Sequence, residues 1–456
     1  MKNATFEEIL PFTDSQKFFR GGAFECSAES MHVYGYRLCG EFDANLAEML
    51  WREIVAAYPS LRTSLHVLAP NRTFQVVHGQ AEPVVRVFDL THLSPEEQER
   101  VVEEYQSMDS VLPFDWHSPP LIRLAVHKLN AAESILSITI DHLIFDGWSL
   151  GLAIRDFLEG HDALRSGQAW NLEPKPSVRD YIEWHKRADS SQALLWYRNK
   201  LGGMAAQKLP FVECREWPDE ICASEVCFLP FTEEEDRILH EGANRMGVTL
   251  YVVFQAAWSL ILSQCQENES AYFISTASSR PAGVPGIQSM FGLLLGVIPH
   301  HFHCPRTSSV GDWLDGIRAY QVESMDYHFV PPRDIIAIQE ELAPRSQTSC
   351  LVFQNMDTGV EPEKAEEKRL TIAYGGLVTR SNYPLVVSAQ IQPALQLSLM
   401  YDARIFAEQK IVDVAELLKR LMLQLGRDRE ATLAAVCESR PVAAMLQEIA
   451  QSVGAL

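Results

Sequence analysis

The segment Ser134–Leu150, SILSITIDHLIFDGWSL, holds the residue types best suited to chemistry. Its front half alternates with period two, so Leu136, Ile138, Ile140 and His142 share one strand face while Ser137, Thr139 and Asp141 share the other. His142 thus emerges at a strand end from the apolar side, where burial favours a neutral, basic imidazole. Gly147 permits a tight turn or a close backbone approach, and Trp148 and Ser149 open a helical run toward Leu158. A histidine beside a helix N-terminus sits among free backbone N–H groups, a setting for general-base chemistry next to a developing oxyanion. The same residues fit equally well a core histidine that bonds Asp146 and merely ends a strand.

Other reactive side chains offer less. His300, His301 and His303 form an HHxH run, but only His301 and His303 share a strand face and no carboxylate is nearby, so no metal site is expected. The nine cysteines scatter from Cys26 to Cys437 without a Cys-x-x-Cys pair, and Cys222 and Cys227 have no histidine at finger spacing. Buried free thiols are the better reading. Against 39 Lys plus Arg stand 60 Asp plus Glu, a net charge of −21 that argues against tracking nucleic-acid phosphates. Met1–Phe12 carries Glu7 and Glu8 and no Arg, unlike a signal or transit peptide. The longest apolar stretches, near Tyr251–Leu262 and Met290–Pro299, fall short of the roughly 18–20 residues a bilayer span needs. A soluble, cytoplasmic protein with no membrane partner is expected.

The elements that must position His142 follow from periodicity. Asp43–Tyr58 reads as an amphipathic helix capped by Asp43. Arg72–Val77 and Pro83–Phe88 read as short strands, Pro95–Ser107 as an acidic amphipathic helix, and Leu121–Leu129 and Ser134–His142 as neighbouring strands. The polar, Pro-bearing stretch Ser166–Ser177 is the candidate boundary, with one helix over Val178–Leu201 ending at Gly202-Gly203. Beyond it come strands at Glu225–Leu229, Ala271–Ala277, Cys350–Gln354 and Leu395–Tyr401, and helices at Val248–Gln264, Val310–Tyr327 and Ala407–Leu425. Glu361–Lys368 is a charged run without periodicity, read as a solvated loop. With 456 residues and 47% hydrophobic content, the chain reads as α/β or α+β in two comparable lobes.

HLIFDGWS (His142–Ser149) resembles the HHxxxDGxS core of the condensation domains of nonribosomal peptide synthetases. LPFTDSQKFF (Leu10–Phe19) resembles the family's opening motif, and YPSLRT (Tyr58–Thr63) its HExLRT element without the His-Glu pair. DYIEW (Asp180–Trp184) is similar to the DYAxW helix. FGLLLGVIP (Phe291–Pro299) is similar to GFFVNTLP, with Gly296 and Val297 where Asn-Thr is usual. LVFQN (Leu351–Asn355) and SNYPL (Ser381–Leu385) resemble the strand and loop that follow. The matches keep family order from about residue 8 to about 425.

The resemblance implies an α/β (α+β) fold of two chloramphenicol-acetyltransferase-like lobes, 1–173 and 174–456, forming a pseudo-dimeric V with a central tunnel. It implies an acyltransferase that joins a thioester on a carrier protein's phosphopantetheine to an amine or hydroxyl acceptor, with no cofactor bound directly. The partners implied are acyl or peptidyl carrier proteins, with a small-molecule amine or alcohol as the alternative to an acceptor carrier; a free-standing monomer is expected. His142 maps onto the catalytic histidine and Gly147 onto the glycine whose N–H lies near the reacting carbonyl. Asp146 maps onto the structural aspartate, paired with Arg62. Asn355, Ser149 and Gly296 fall at tunnel-lining positions. Asp141 replaces the first motif histidine and, with Asp146 and Ser149, satisfies the DxxxxDxxS pattern of heterocyclisation domains, while Phe353-Gln354-Asn355 does not resemble the Phe-Thr-Ser element expected there. Because Asp141 and His142 point to opposite strand faces, Asp141→Asn is expected to be tolerated. The Glu-Gly-His-Gly-Arg element of epimerisation domains and the DFGWG motif of plant CoA acyltransferases are absent. Heterocyclisation and a catalytically inactive carrier-docking domain remain the alternatives.

Overall fold

Alternation in the His142 segment is realised as a strand covered on both faces. The computed structural model describes residues 6–22, 30–69, 72–212, 214, 217–218, 221–265, 269–354, 370–391 and 395–454. Strands run over Phe6–Pro11 (β1), Met31–Cys39 (β2), Thr63–Ala69 (β3), Arg72–His78 (β4), Val84–Asp89 (β5), Ile122–Lys128 (β6) and Glu133–Asp141 (β7). They continue over Glu225–Pro230 (β8), Ser270–Ser278 (β9), Leu295–His303 (β10), Cys350–Gln354 (β11), Thr371–Val378 (β12), Leu385–Gln390 (β13) and Gln396–Tyr401 (β14). The fold is mixed helix and sheet, as expected.

The chain divides into two units. The first comprises Met1–Ala188, Arg280–Leu295 and Met356–Arg380; the second comprises Asp189–Ser279, Gly296–Asn355 and Ser381–Leu456. A single cut at 173/174 therefore does not describe the packing. Residues remote in sequence complete the first unit, because β12 adds to the edge of its five-stranded sheet, order β12-β2-β7-β6-β5. β7 runs antiparallel to β2 and β6, with Asp141 opposite Met31 and Ile140 opposite both His32 and Ile122. Leu136, Ile138 and Ile140 pack into a core with Leu50, Trp51 and Ile54 of the helix Ala44–Ala57 and Ile154 and Phe157 of the helix Gly147–Arg165. The polar face is covered too, by the helix Pro95–Ser110. From that helix Gln106 Nε2 donates to Ser137 Oγ at 3.0 Å, and Asp109 accepts from Thr139 Oγ1. Asp43 caps its helix by accepting from Asn45 N, and Ser94 and Glu97 form a reciprocal capping box. A small sheet, order β1-β4-β3, completes this unit.

The second unit is built on a six-stranded sheet, order β10-β9-β11-β13-β14-β8, with β11 parallel to β9 and β13. Its central helix, Leu250–Ser263, is capped by Thr249 and buried at every residue except Tyr251, which explains an apolar run without a polar stripe. The single helix expected over Val178–Leu201 is instead two, Arg179–Arg187 and Ser191–Lys200. Asp189 Oδ1 accepts from Ser191 N at 2.9 Å, a local bond that competes with helix continuation, and the unit boundary falls at this break. The Gly203 stop is observed, at φ 77°. Among the described residues no single helix is long and apolar enough to cross a membrane. The charged run Glu361–Lys368 lies outside the described residues.

Candidate active site

β7 delivers His142 into a tight turn. The strand ends at Asp141, and residues His142–Ile144 form one 3-10 turn before Phe145 returns to extended backbone. His142 Nδ1 lies 3.1 Å from the Phe145 carbonyl, so Nδ1–H donates and Nε2 keeps its lone pair. Nε2 has no hydrogen-bond partner among the described residues. The half-buried ring is flanked by His32, Phe19 and Phe145, with centroids at 4.4, 5.2 and 5.2 Å. Burial pushes its pKa down to about 4, against the smaller upward pull of the Phe145 bond and the Asp146 charge. The imidazole is neutral at pH 7.

Asp146 does not bond His142. It caps the helix Gly147–Arg165, accepting from Ser149 N at 2.8 Å and Ser149 Oγ at 2.7 Å. Its carboxylate is also gripped bidentately by Arg280, at 2.8 and 3.0 Å, and accepts from Leu294 N at 3.1 Å. Both partners are buried, with side-chain exposures of 0% for Asp146 and 3% for Arg280. Burial opposes ionisation of Asp146, but Arg280 and the Ser149 bonds outweigh it and hold the carboxyl below its ordinary range. This corrects the expected Arg62–Asp146 pair. Arg62 instead donates to the His78 carbonyl and pairs with Glu7 at 3.1 Å. No sequence neighbour signals Arg280, which arrives 134 residues later in a separate segment of the first unit.

The other expected site residues fall into distinct settings. Gly147 is exposed at the first helical position, where its N–H is an orphan donor. A Cβ on Gly147 would meet nothing within 4 Å, and its φ lies outside the left-handed region. Neither packing nor the turn requires glycine there; a side chain would only fill the open space in front of the helix. Ser149, expected to line a tunnel, is fully buried, its Oγ bonded to Asp146 and to Gly292. Asp141 is buried on the opposite side of β7 from His142. Its two oxygens accept from Trp116 Nε1 at 2.6 Å and Leu143 N at 3.0 Å. Gly296 belongs to the second unit, where a Cβ would strike the His328 carbonyl at 2.2 Å. Asn355 lies outside the described residues. His300 accepts or donates at Ser275 Oγ, 2.7 Å away, and among the described residues no three His, Cys, Asp or Glu side chains are placed to hold a metal.

Sequence reasoning misses His32 and Tyr34, both on β2. On β2 neither alternating set is uniformly polar, with Met31, Val33 and Cys39 on one face and Tyr34, Tyr36 and Leu38 on the other, so the strand lacks the period-two signal that marks β7. His32 Nδ1 lies 3.3 Å from Tyr34 Oη. The clue available in sequence is the histidine itself, one of 14, with no motif around it.

A family model described as "Condensation domain" matches residues 7–437. The chain is 27% identical over 420 residues to one of the linear gramicidin synthase proteins of Brevibacillus parabrevis, covering 89% of this chain and 8% of that protein. It is 26% identical over 388 residues to surfactin synthase subunit 3 of Bacillus subtilis, covering 85% of this chain and 30% of that protein. The chain therefore spans less than a third of the length of these relatives. The first condensation domain of the calcium-dependent antibiotic synthetase, solved with a substrate analogue, superposes with a TM-score of 0.77 at 14% identity, over 94% of this chain and 98% of that one.

Proposed function

Because the chain belongs to the condensation-domain family, we propose that it is an acyltransferase joining a carrier-bound acyl or aminoacyl thioester to an amine or hydroxyl acceptor. The observation that carries this reading is the state of His142. Its Nδ1 is committed to the Phe145 carbonyl, and the Nε2 of the neutral ring, without a partner among the described residues, stands beside the N-terminus of a helix that opens on a side-chain-free residue.

The chemistry asks little of the protein. A thioester is already activated, and an α-amine with a pKa near 7.7–8.0 is partly nucleophilic at neutral pH. Holding the two reactants together supplies much of the acceleration. As the new C–N bond forms, Nε2 takes the nucleophile's proton and passes it to the departing sulfur. A base of pKa about 4 is too weak to ionise a free amine, so proton removal accompanies bond formation rather than preceding it. The Gly147 N–H is available to the developing oxyanion. Asp146 takes no part in proton transfer; it ties the helix start to the Arg280 segment.

Substrates would arrive on the phosphopantetheine arms of acyl or peptidyl carrier proteins, and the acceptor is either a second carrier or a free small molecule. The engagement of both Asp141 oxygens by Trp116 and Leu143 supports condensation over heterocyclisation, since that carboxylate faces away from His142. The test is intact-mass spectrometry of an acylated carrier incubated with the chain and with amine or alcohol acceptors. Acyl loss from the carrier with formation of the coupled product is expected, and His142→Ala should abolish it. A product lighter by one further water, or full activity in a folded His142→Ala chain, would overturn the reading.

A further inference from the structure

His32 places a second imidazole against the first. The two ring centroids are 4.4 Å apart with an interplanar angle of 50°. On β2, His32 sits opposite Ile140, one side-chain step from His142 on the same face of the sheet. Its Nδ1 faces Tyr34 Oη at 3.3 Å. Tyr34 is buried at 8% exposure, and among the described residues its hydroxyl has no other hydrogen-bond partner.

A buried phenol left without an acceptor costs about 1–3 kcal/mol. The Tyr34 O–H therefore donates to His32 Nδ1, and the ring proton of His32 resides on Nε2. That Nε2 has no partner among the described residues. Burial, reinforced by His142, holds the His32 pKa well below its ordinary value, so the ring stays neutral. The two adjacent rings thus carry complementary groups: an acceptor at His142 Nε2 and an N–H donor at His32 Nε2. A neutral imidazole donor is suited to a growing negative charge, because it starts uncharged and gives up no proton.

We propose that His32 is a catalytic residue of the acyl transfer, its Nε2–H donating a hydrogen bond to the carbonyl oxygen of the thioester as that oxygen becomes an oxyanion. The assignment rests on the acyl-transfer reading above. In the step, the acceptor nitrogen attacks the carbonyl carbon, the C–N bond forms and the carbonyl π pair moves onto oxygen, where His32 Nε2–H meets it. The oxyanion then collapses, the carbonyl re-forms, the C–S bond breaks, and the proton held at His142 Nε2 goes to the thiolate. His32 keeps its own proton throughout.

Two measurements test this. Long-range proton–nitrogen NMR correlations on the full chain should show the Nε2–H tautomer at His32. Turnover is then compared for His32→Phe, which keeps a ring against His142 but has no donor, and His32→Gln, which returns an N–H near the Nε2 position. His32→Phe should lower kcat about 100-fold with KM and melting temperature little changed, and His32→Gln should recover to within about tenfold of wild type. If His32→Phe does not fold, Tyr34→Phe, which removes the tautomer's anchor, should lower kcat about tenfold. An Nδ1–H tautomer, a His32→Phe chain as fast as wild type, or a His32→Gln chain no better than His32→Phe overturns the proposal alone. A wild-type chain that transfers no acyl group overturns the acyl-transfer reading and the proposal with it.

Discussion

At the scale of single residues, Asp146 and Arg280 form the pair on which the site depends. Removing Arg280 would leave a fully buried carboxylate without its counter-charge, a loss that typically costs about 3–5 kcal/mol. Arg280→Ala should therefore shift the urea midpoint strongly and depress turnover. Arg62→Ala should cost less, because its carboxylate partner Glu7 is 46% exposed and stays solvated once Arg62 is gone. Equal losses in the two variants would contradict this ranking. For Asp141→Asn the structure replaces the tolerance inferred from strand parity with a different expectation. Both oxygens accept from fixed donors, and an amide offers one oxygen, so one of Trp116 Nε1 or Leu143 N would face an NH2 group. A loss of about 1–3 kcal/mol in equilibrium unfolding is expected, without a change in reaction product. An unchanged midpoint would show that the turn does not depend on this carboxylate. The direction of each side chain from β7 is legible in its alternation. Its partners are not, since Arg280 and Trp116 reach the motif from outside any local window.

At the scale of elements, what is legible follows from local chemistry. Asp43 caps its helix where the sequence places it, and the alternation of 134–142 is a strand whose apolar face packs on two helices. The helix break at 188–190 escapes a sequence reading because apolar periodicity continues across it while an aspartate side chain captures the next backbone N–H. β2 and β12 escape it for another reason. They are antiparallel neighbours more than 330 residues apart, with Thr371 opposite Cys39, and no local pattern encodes that pairing. β6 carries a consequence of the same kind. His127 is 1% exposed, stacked on Phe88 at 5.2 Å, and among the described residues neither ring nitrogen has a hydrogen-bond partner. An imidazole there contributes only packing, so His127→Phe should leave stability at pH 7 unchanged or higher, measured by thermal melting. A large loss would mean that the ring nitrogens are bonded in solution.

At the scale of the whole molecule, buried neutral histidines govern the response to acid. Burial lowers the pKa of His127, His142 and His328 to about 4 and of His300 to about 3. Unfolded, each returns to about 6.5. Between those values the unfolded chain binds more protons than the folded one, so stability rises with pH through this window and is lost as pH falls from about 6.5 toward 4. The buried Asp146, whose folded pKa is depressed, adds its loss at lower pH still. The urea midpoint should fall between pH 7 and pH 5, and His127→Phe should flatten that slope; a midpoint independent of pH in this range would refute the account. The division of the chain into interleaved segments has a consequence in time. The first unit needs Arg280 to neutralise Asp146 and β12 to cover the edge of β2, yet residues 189–279 and 296–355 belong to the other unit. During synthesis at about 5–20 residues per second, roughly 10–40 s separate the emergence of residue 188 from that of residue 380. For that interval the nascent chain exposes an unpaired strand edge, with the Asp146 carboxylate unmatched for the first part of it. The ribosome-bound intermediate is therefore the species most in need of a chaperone, and neither unit can be obtained by truncating the gene at a single codon.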